Sequence, residues 1–284
     1  MALVTLQLSS REESLKSLEK LPRLSPLMVR LVSLLASPDC SVGELVSVVE
    51  KDVLLSAQIL RRANSAAFGR IQPIHSLRHA ISLLGLGTMR RFALGSSIGN
   101  LFSRTQTARS FSMTRFNLHS VATGTLAELL AEELRMELRS TAFLAGLLHD
   151  IGKLLIAVHV PKGFEEVLGL AALSREPFLE CERQVLGIDH AELSSLAIAR
   201  WDLDEEVRIA VRNHHEPDSG TPVSLLGILQ KADEYVNSIG MSVLPARGSL
   251  MEPPALNFPL AAYSAARVQE KFEAERKRFS KLLA

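Results

Sequence analysis

Two cysteines in 284 residues, Cys40 and Cys181, lie far apart and in no ligand-like spacing, so no disulfide framework or thiolate metal site is expected. Such sparse usage fits a reducing cytosol. The N-terminus, "MALVTLQLSSREES", lacks the basic start and apolar run of a signal peptide. Long hydrophobic runs are missing as well. The longest, "AFLAGLLHDIGKLLIAVHV" (142–160), is interrupted by His149, Asp150 and Lys153, which argues against a membrane span. The expectation is a soluble cytoplasmic protein with no membrane contact. Net charge is only +1, so global electrostatics select no partner. Alternating strand patterns, fixed-period repeats and low-complexity tracts are all absent.

What is present is helical periodicity. A 47% apolar fraction excludes compositional disorder. "LMVRLVSLLAS" (27–37), "SVGELVSVVEKD" (41–52) and "VLLSAQILRRANS" (53–65) each repeat apolar residues three and four apart. The class is therefore all-α. The Ser-, Thr- and Arg-rich "SRTQTARSFSMTR" marks a boundary, placing an N-terminal helical lobe at 1–105 and a second at 106–240. Residues 241–284 read as a loop and a C-terminal helix. That helix carries an apolar seam at Val268, Phe272, Phe279 and Leu283, which packs on the second lobe or makes a homodimer.

Acid is missing from one long stretch. No Asp or Glu occurs between Asp52 and Glu128, yet Arg61, Arg62, Arg70, Arg78, Arg90, Arg91, Arg104, Arg109 and Arg115 do. Such an excess attracts an anion or an acidic face. The favoured reading is that these arginines cap helices and pair with acids of the second block. No nucleic-acid-binding motif accompanies them, so nucleic acid is not an expected partner.

Stranding a carboxylate in the apolar 142–160 segment costs several kcal/mol unless it is paired. His149 and Asp150 therefore need a partner, and similar residues recur elsewhere. His119 shares a helix face with Ala122, Thr123, Leu126 and Leu130. His190 follows Asp189, which with Glu192 has capping-box spacing. His214 ends "EEVRIAVRNHHEP", and Asp233 lies on the side of Leu226 and Leu229. Imidazole and carboxylate together suit Fe, Mn, Zn or Ni, and helix bundles are places to build such sites. A lone buried histidine is more often a hydrogen-bonded core residue, so the case rests on six such positions together.

His119, then "HD" thirty residues on, then Asp233, resembles the HD superfamily of metal-dependent phosphohydrolases. Histidines like His190 and His214 occur in its HD-GYP relatives, which cleave cyclic dinucleotides, although the Gly-Tyr-Pro signature is absent here. The N-terminal lobe is more specific. "LPRLSPLMVRLVSLLASPDCSVGELVSVVEKDVLLSAQILRRANSAAFGR" and "AISLLG" closely resemble the HDOD domain (HD-related output domain), as do "FLAGLLHDIGKL" and "RNHHEP". The likeness runs from about residue 18 to about 240. Val53 departs from it, where proline commonly follows the acid.

This resemblance implies two packed helical lobes, the second HD-like, in a bacterial signalling protein whose partner is another signalling protein or a nucleotide. It also implies a divalent metal held by His119, His149, Asp150, His190, His214 and Asp233, residue types that many relatives have lost. If the site is active, Asp150 and Lys153 take catalytic roles, Lys153 as a phosphate contact, with His215 in support. Three readings stay open at this level: a non-enzymatic regulatory module, a metal-dependent phosphohydrolase, and a vestigial hydrogen-bonded pocket. "NSAAFG" reads as a helix stop in which Asn64 and Ser65 satisfy backbone groups and Gly69 takes positive φ.

Overall fold

Short polar side chains start many of the helices. Ser41 accepts from Glu44 N while Glu44 reaches back to Ser41 N at 2.8 Å, a complete capping box. Asp52 accepts from Leu55 N, Ser112 from Arg115 N and Asp189 from Glu192 N. The computed structural model describes all residues except 1, 37–39, 66–72, 103–104, 138, 175, 218–222, 245–255, 257–259, 261 and 284. Among the described residues there are fifteen helices and no strand.

In chain order the first six are α1 (Ala2–Glu19), α2 (Pro26–Ala36), α3 (Val42–Val49), α4 (Val53–Ala63), α5 (Leu77–Leu84) and α6 (Leu86–Leu101). The second lobe comprises α7 (Met113–Glu133), α8 (Arg139–Leu148), α9 (Ile151–His159), α10 (Pro161–Leu173), α11 (Phe178–Leu186), α12 (His190–Arg200), α13 (Glu205–Arg212) and α14 (Leu225–Ser238). The closing helix is α15 (Ala262–Leu283). Helices α2 to α6 pack on one another, and α2 and α6 also meet α8 and α7 of the second lobe. One continuous apolar core runs through both.

The first helix crosses over: α1 lies against α9, α11 and α12. Its Arg11 donates to Gly187 O at 2.7 Å and pairs with Glu192, tying down the corner between α11 and α12. Glu192 is thus drawn to arginines rather than back to its own cap. The seam of α15 is buried within the same chain, against α7, α6 and α4, through Val268, Phe272 and Phe279. The side chain of Leu283 lies outside the described residues.

Asn64 does hold the end of α4. Its amide donates to Leu60 O and Ile74 O and accepts from Ile74 N at 2.6 Å. Ser65 Oγ finds no such partner, and Gly69 lies outside the described residues. Residues 139–159 are long and apolar enough by composition to cross a membrane. Their most apolar 18-residue window is 89% buried in the protein, and the segment splits into α8 and α9 at His149 and Asp150.

Glycine lets the site-bearing helices touch. A Cβ on Gly146 of α8 would lie 2.6 Å from the backbone of Gly124 on α7. A Cβ on Gly152 of α9 would lie 2.2 Å from His190 O at the start of α12. Only these close approaches bring the ends of α8 and α9 within reach of α7 and α12.

Candidate metal centre

His119 comes from the middle of α7, His149 and Asp150 from the break between α8 and α9, and His190 from the first residue of α12. Asp233 comes from α14. His214 sits in a turn past the end of α13, which stops at Arg212, two residues earlier than its place at a helix end implies. All but Asp233 are at most 4% exposed. All six converge.

Their ring nitrogens are oriented by main-chain carbonyls. His119 Nδ1 lies 2.9 Å from Met241 O, His149 Nδ1 2.8 Å from Gly146 O, and His214 Nδ1 2.7 Å from Val211 O. A carbonyl only accepts, so each Nδ1 carries the hydrogen and each Nε2 of a neutral ring is a lone pair. Those lone pairs face one another: His119 Nε2 is 3.2 Å from His149 Nε2. His119 Nε2 stands 3.4 Å from Asp150 Oδ2 and 3.2 Å from Asp233 Oδ1. His149 Nε2 stands 3.6 and 3.3 Å from the same two oxygens.

Four acceptors aimed at one point repel unless a cation lies among them. Bonds of about 2.0–2.2 Å to a metal imply ligand-to-ligand separations of roughly 3.0–3.5 Å, which these distances match. Without metal, a proton takes the role. Burial disfavours charge on His119, but hydrogen bonds to Asp150 and Asp233 outweigh it and raise its pKa to about 9. Asp150 stays well below the usual carboxylate range despite burial, because Lys153 and the surrounding histidines hold it ionised.

A second cluster adjoins the first through the other oxygen of Asp150. Asp150 Oδ1 is 3.3 Å from His190 Nε2 and 3.9 Å from His214 Nε2, and His190 Nε2 is 2.9 Å from His215 Nε2. Both Asp150 Oδ1 and His214 Nε2 are buried without a hydrogen-bond partner. Burial holds His190 and His214 well below the usual histidine range, which leaves neutral rings with lone pairs to donate. The residues therefore fit two divalent ions, with Asp150 shared between them.

With this site and the all-helical, two-lobed fold in place, comparison with known proteins is decisive on one point. The model of the HDOD domain family matches residues 21–217. The chain belongs to the HDOD domain family. A solved HDOD domain protein of unknown function from Geobacter sulfurreducens superposes with a TM-score of 0.73 at 22% identity, covering 98% of each chain. A candidate signal transduction protein from Marinobacter aquaeolei VT8 gives 0.70 at 23% identity, covering 97% of this chain and 64% of its own. A candidate phosphohydrolase from Shewanella amazonensis SB2B gives 0.68 at 22% identity over 96% and 98%. At such identities these likenesses speak to fold. An uncharacterized protein from Treponema pallidum (strain Nichols) is 23% identical over 199 residues, 70% of this chain and 38% of the relative. This HDOD chain thus spans well under half the length of that curated relative.

In this HDOD protein a cavity of about 890 Å³ opens onto the second cluster. Lys153, His190 and His215 line it beside Phe178, Asn237 and Leu244. Lys153 Nζ donates to Asp150 Oδ2 at 2.7 Å, so the lysine stands between the shared carboxylate and the cavity.

Sequence reasoning missed Glu182. This carboxylate is 2% exposed and sits on α11 four residues from both Phe178 and Leu186, a charge on an apolar stripe that could have flagged it. Its Oε2 accepts from His190 N at 3.0 Å and lies 2.5 Å from His190 Nδ1. Burial pushes the Glu182 carboxyl up to about 8, and the neutral His190 ring shares its proton. With a metal held at Nε2, Nδ1 would carry the ring hydrogen and donate it to Glu182 as its charged acceptor. Glu182→Gln keeps the shape and loses the charge. It is expected to weaken the ion on the His190 side by about 10- to 100-fold while sparing the other. Metal per chain against a competing chelator measures this; equal retention of both ions would refute the role.

Proposed function

We propose that this HDOD chain is a signal-transduction module built on a pair of divalent metal ions, and that the pair with Lys153 holds a phosphoester in the adjoining cavity. The observation that carries this reading is the convergence of histidine Nε2 atoms and carboxylate oxygens at the separations a metal's ligands keep. His119, His149, Asp150 and Asp233 hold one ion. His190, His214, His215 and the second oxygen of Asp150 hold the other. The imidazole-rich, carboxylate-bearing set suits Fe, Mn, Zn or Ni.

The second reading is hydrolysis of that phosphoester, favoured by the roomy cavity beside the metal ligands. When bound, the metals would polarise a phosphoryl oxygen and lower the pKa of a bound water toward about 7. Lys153 fixes the direction of Asp150 and presents its ammonium to the ligand's phosphate. Phe178 and Leu244 shield the site from bulk water and give the ligand's body an apolar wall.

Elemental analysis of protein purified without chelator tests the proposal, and close to two ions per chain are expected. No metal after incubation with each of the four ions would refute it. Turnover of a chromogenic phosphodiester by the loaded protein, abolished in His149→Ala with Asp150→Ala, would establish hydrolysis. Full metal loading without turnover would leave the binding module alone.

A further inference from the structure

The arginines of the acid-free stretch are not all paired alike. Arg91 pairs with Glu128 at 2.9 Å and with Glu275 at 2.8 Å, and Arg90 lies 4.0 Å from Glu128. Arg115 donates to Ser242 O and Leu244 O. These are structural, but the expected second-block acid is met only at Glu128: Glu275 is on α15, and Arg115 holds main-chain carbonyls. Arg70 and Arg104 lie outside the described residues. Arg61 and Arg62 are different: among the described residues their side chains meet no carboxylate and make no hydrogen bond. They sit in the last turn of α4, where their charge also suits the helix dipole.

Both line a crevice of about 230 Å³ where the lobes meet. Its other polar walls are Gln58 on α4, Ser96 and Asn100 on α6, and Asn117 on α7. Gln58 Nε2 donates to Asn100 Oδ1 at 3.2 Å, bridging α4 and α6. No acid lines it, and every lining residue except Leu282 comes from the stretch without Asp or Glu. Two guanidinium forks, three amides and a hydroxyl supply many donors to a small volume. That matches a phosphoryl group, compact and rich in acceptor oxygens. The volume falls below the roughly 300–1,000 Å³ of pockets that enclose a whole drug-sized ligand.

We infer that this crevice is an anion site for a phosphoryl group, distinct from the metal centre, which ties the N-terminal lobe to α7. The ligand is either a free phosphate-type oxyanion or the phosphoryl end of a nucleotide whose remainder stays outside. Asn117 stands two residues before His119 on α7, so a ligand held here touches the helix that carries a metal ligand.

Pyrophosphate titrated calorimetrically into the full, EDTA-treated chain tests the site with no metal to compete for the probe. Saturable binding is expected, at least about tenfold weaker in Arg61→Gln with Arg62→Gln and unchanged in Asp150→Asn. Arg61 is exposed and Arg62 half-buried, and a melting curve matching wild type confirms that the double variant is folded. A parallel titration with adenosine monophosphate assigns the source: tighter binding than pyrophosphate indicates a nucleotide, weaker binding a free oxyanion. No saturable heat up to millimolar probe would overturn the inference. Equal affinity in the double arginine variant, or loss of binding in Asp150→Asn, would do the same.

Discussion

Gly152→Ala is expected to destabilise the protein by about 3 kcal/mol or more and to empty the metal centre. The new Cβ would lie 2.2 Å from His190 O and 2.9 Å from His190 C and Cα, all backbone atoms that no side-chain rotation can move aside. Relief requires α9 and α12 to separate. That breaks the 2.8 Å bond from Gly152 N to Ser194 Oγ and carries His190 away from Asp150. Gly169→Ala is the control. It lies within α10, a Cβ there meets nothing within 4 Å, and alanine should stabilise the helix by about 0.5–1 kcal/mol. Denaturant unfolding and metal content read both variants. A Gly152→Ala protein as stable as wild type and still loaded would show that the close approach does not hold the site together.

Asp150→Asn should remove both ions at once, whereas Asp233→Asn should remove only one. The reason is geometric: Asp150 Oδ2 faces His119 and His149 while Oδ1 faces His190 and His214, but Asp233 Oδ1 faces only the first pair. Asparagine keeps the shape, and its amide can donate to the Nε2 lone pairs, so the metal-free fold survives. Lys153 loses its counter-charge and turns toward the cavity. A metal at 100 times its dissociation constant stabilises a folded chain by about 2.7 kcal/mol, so added metal should raise the wild-type melting temperature and leave that of Asp150→Asn in place. An Asp150→Asn chain that retains one ion at wild-type affinity would exclude the shared ligand.

How much of this was legible beforehand varies with the kind of signal. The helix over 53–65 runs Val53–Ala63, because Asp52 caps one end and Asn64 closes the other. The position of His214 was less legible. Periodicity carried the helix to it, but α13 ends at Arg212, and the two residues beyond let His214 turn inward and donate to Val211 O. Capping-box spacing at Asp189 and Glu192 predicted one bond correctly, Asp189 accepting from Glu192 N. The reciprocal half gave way to Arg11 and Arg212, which offer Glu192 full charges. Glu182 escaped notice because its partner His190 sits across the corner between α11 and α12, a contact that no local pattern reveals.

By itself, then, the sequence determined the all-α class, the helix starts and the stranding of His119, His149, Asp150, His190, His214 and Asp233 in apolar surroundings. All of these follow from residue order within a helix or at its end, where periodicity and capping act over a few positions. Tertiary structure alone decided which Nε2 faces which oxygen, that Asp150 serves two clusters, that Glu182 backs His190, and that Arg61 and Arg62 are left over while Arg91 is paired. Those outcomes depend on where helices cross. The crossings rest on contacts such as Gly124 with Gly146 and Gly152 with His190, between residues 22 and 38 positions apart in the chain, beyond the reach of any local pattern.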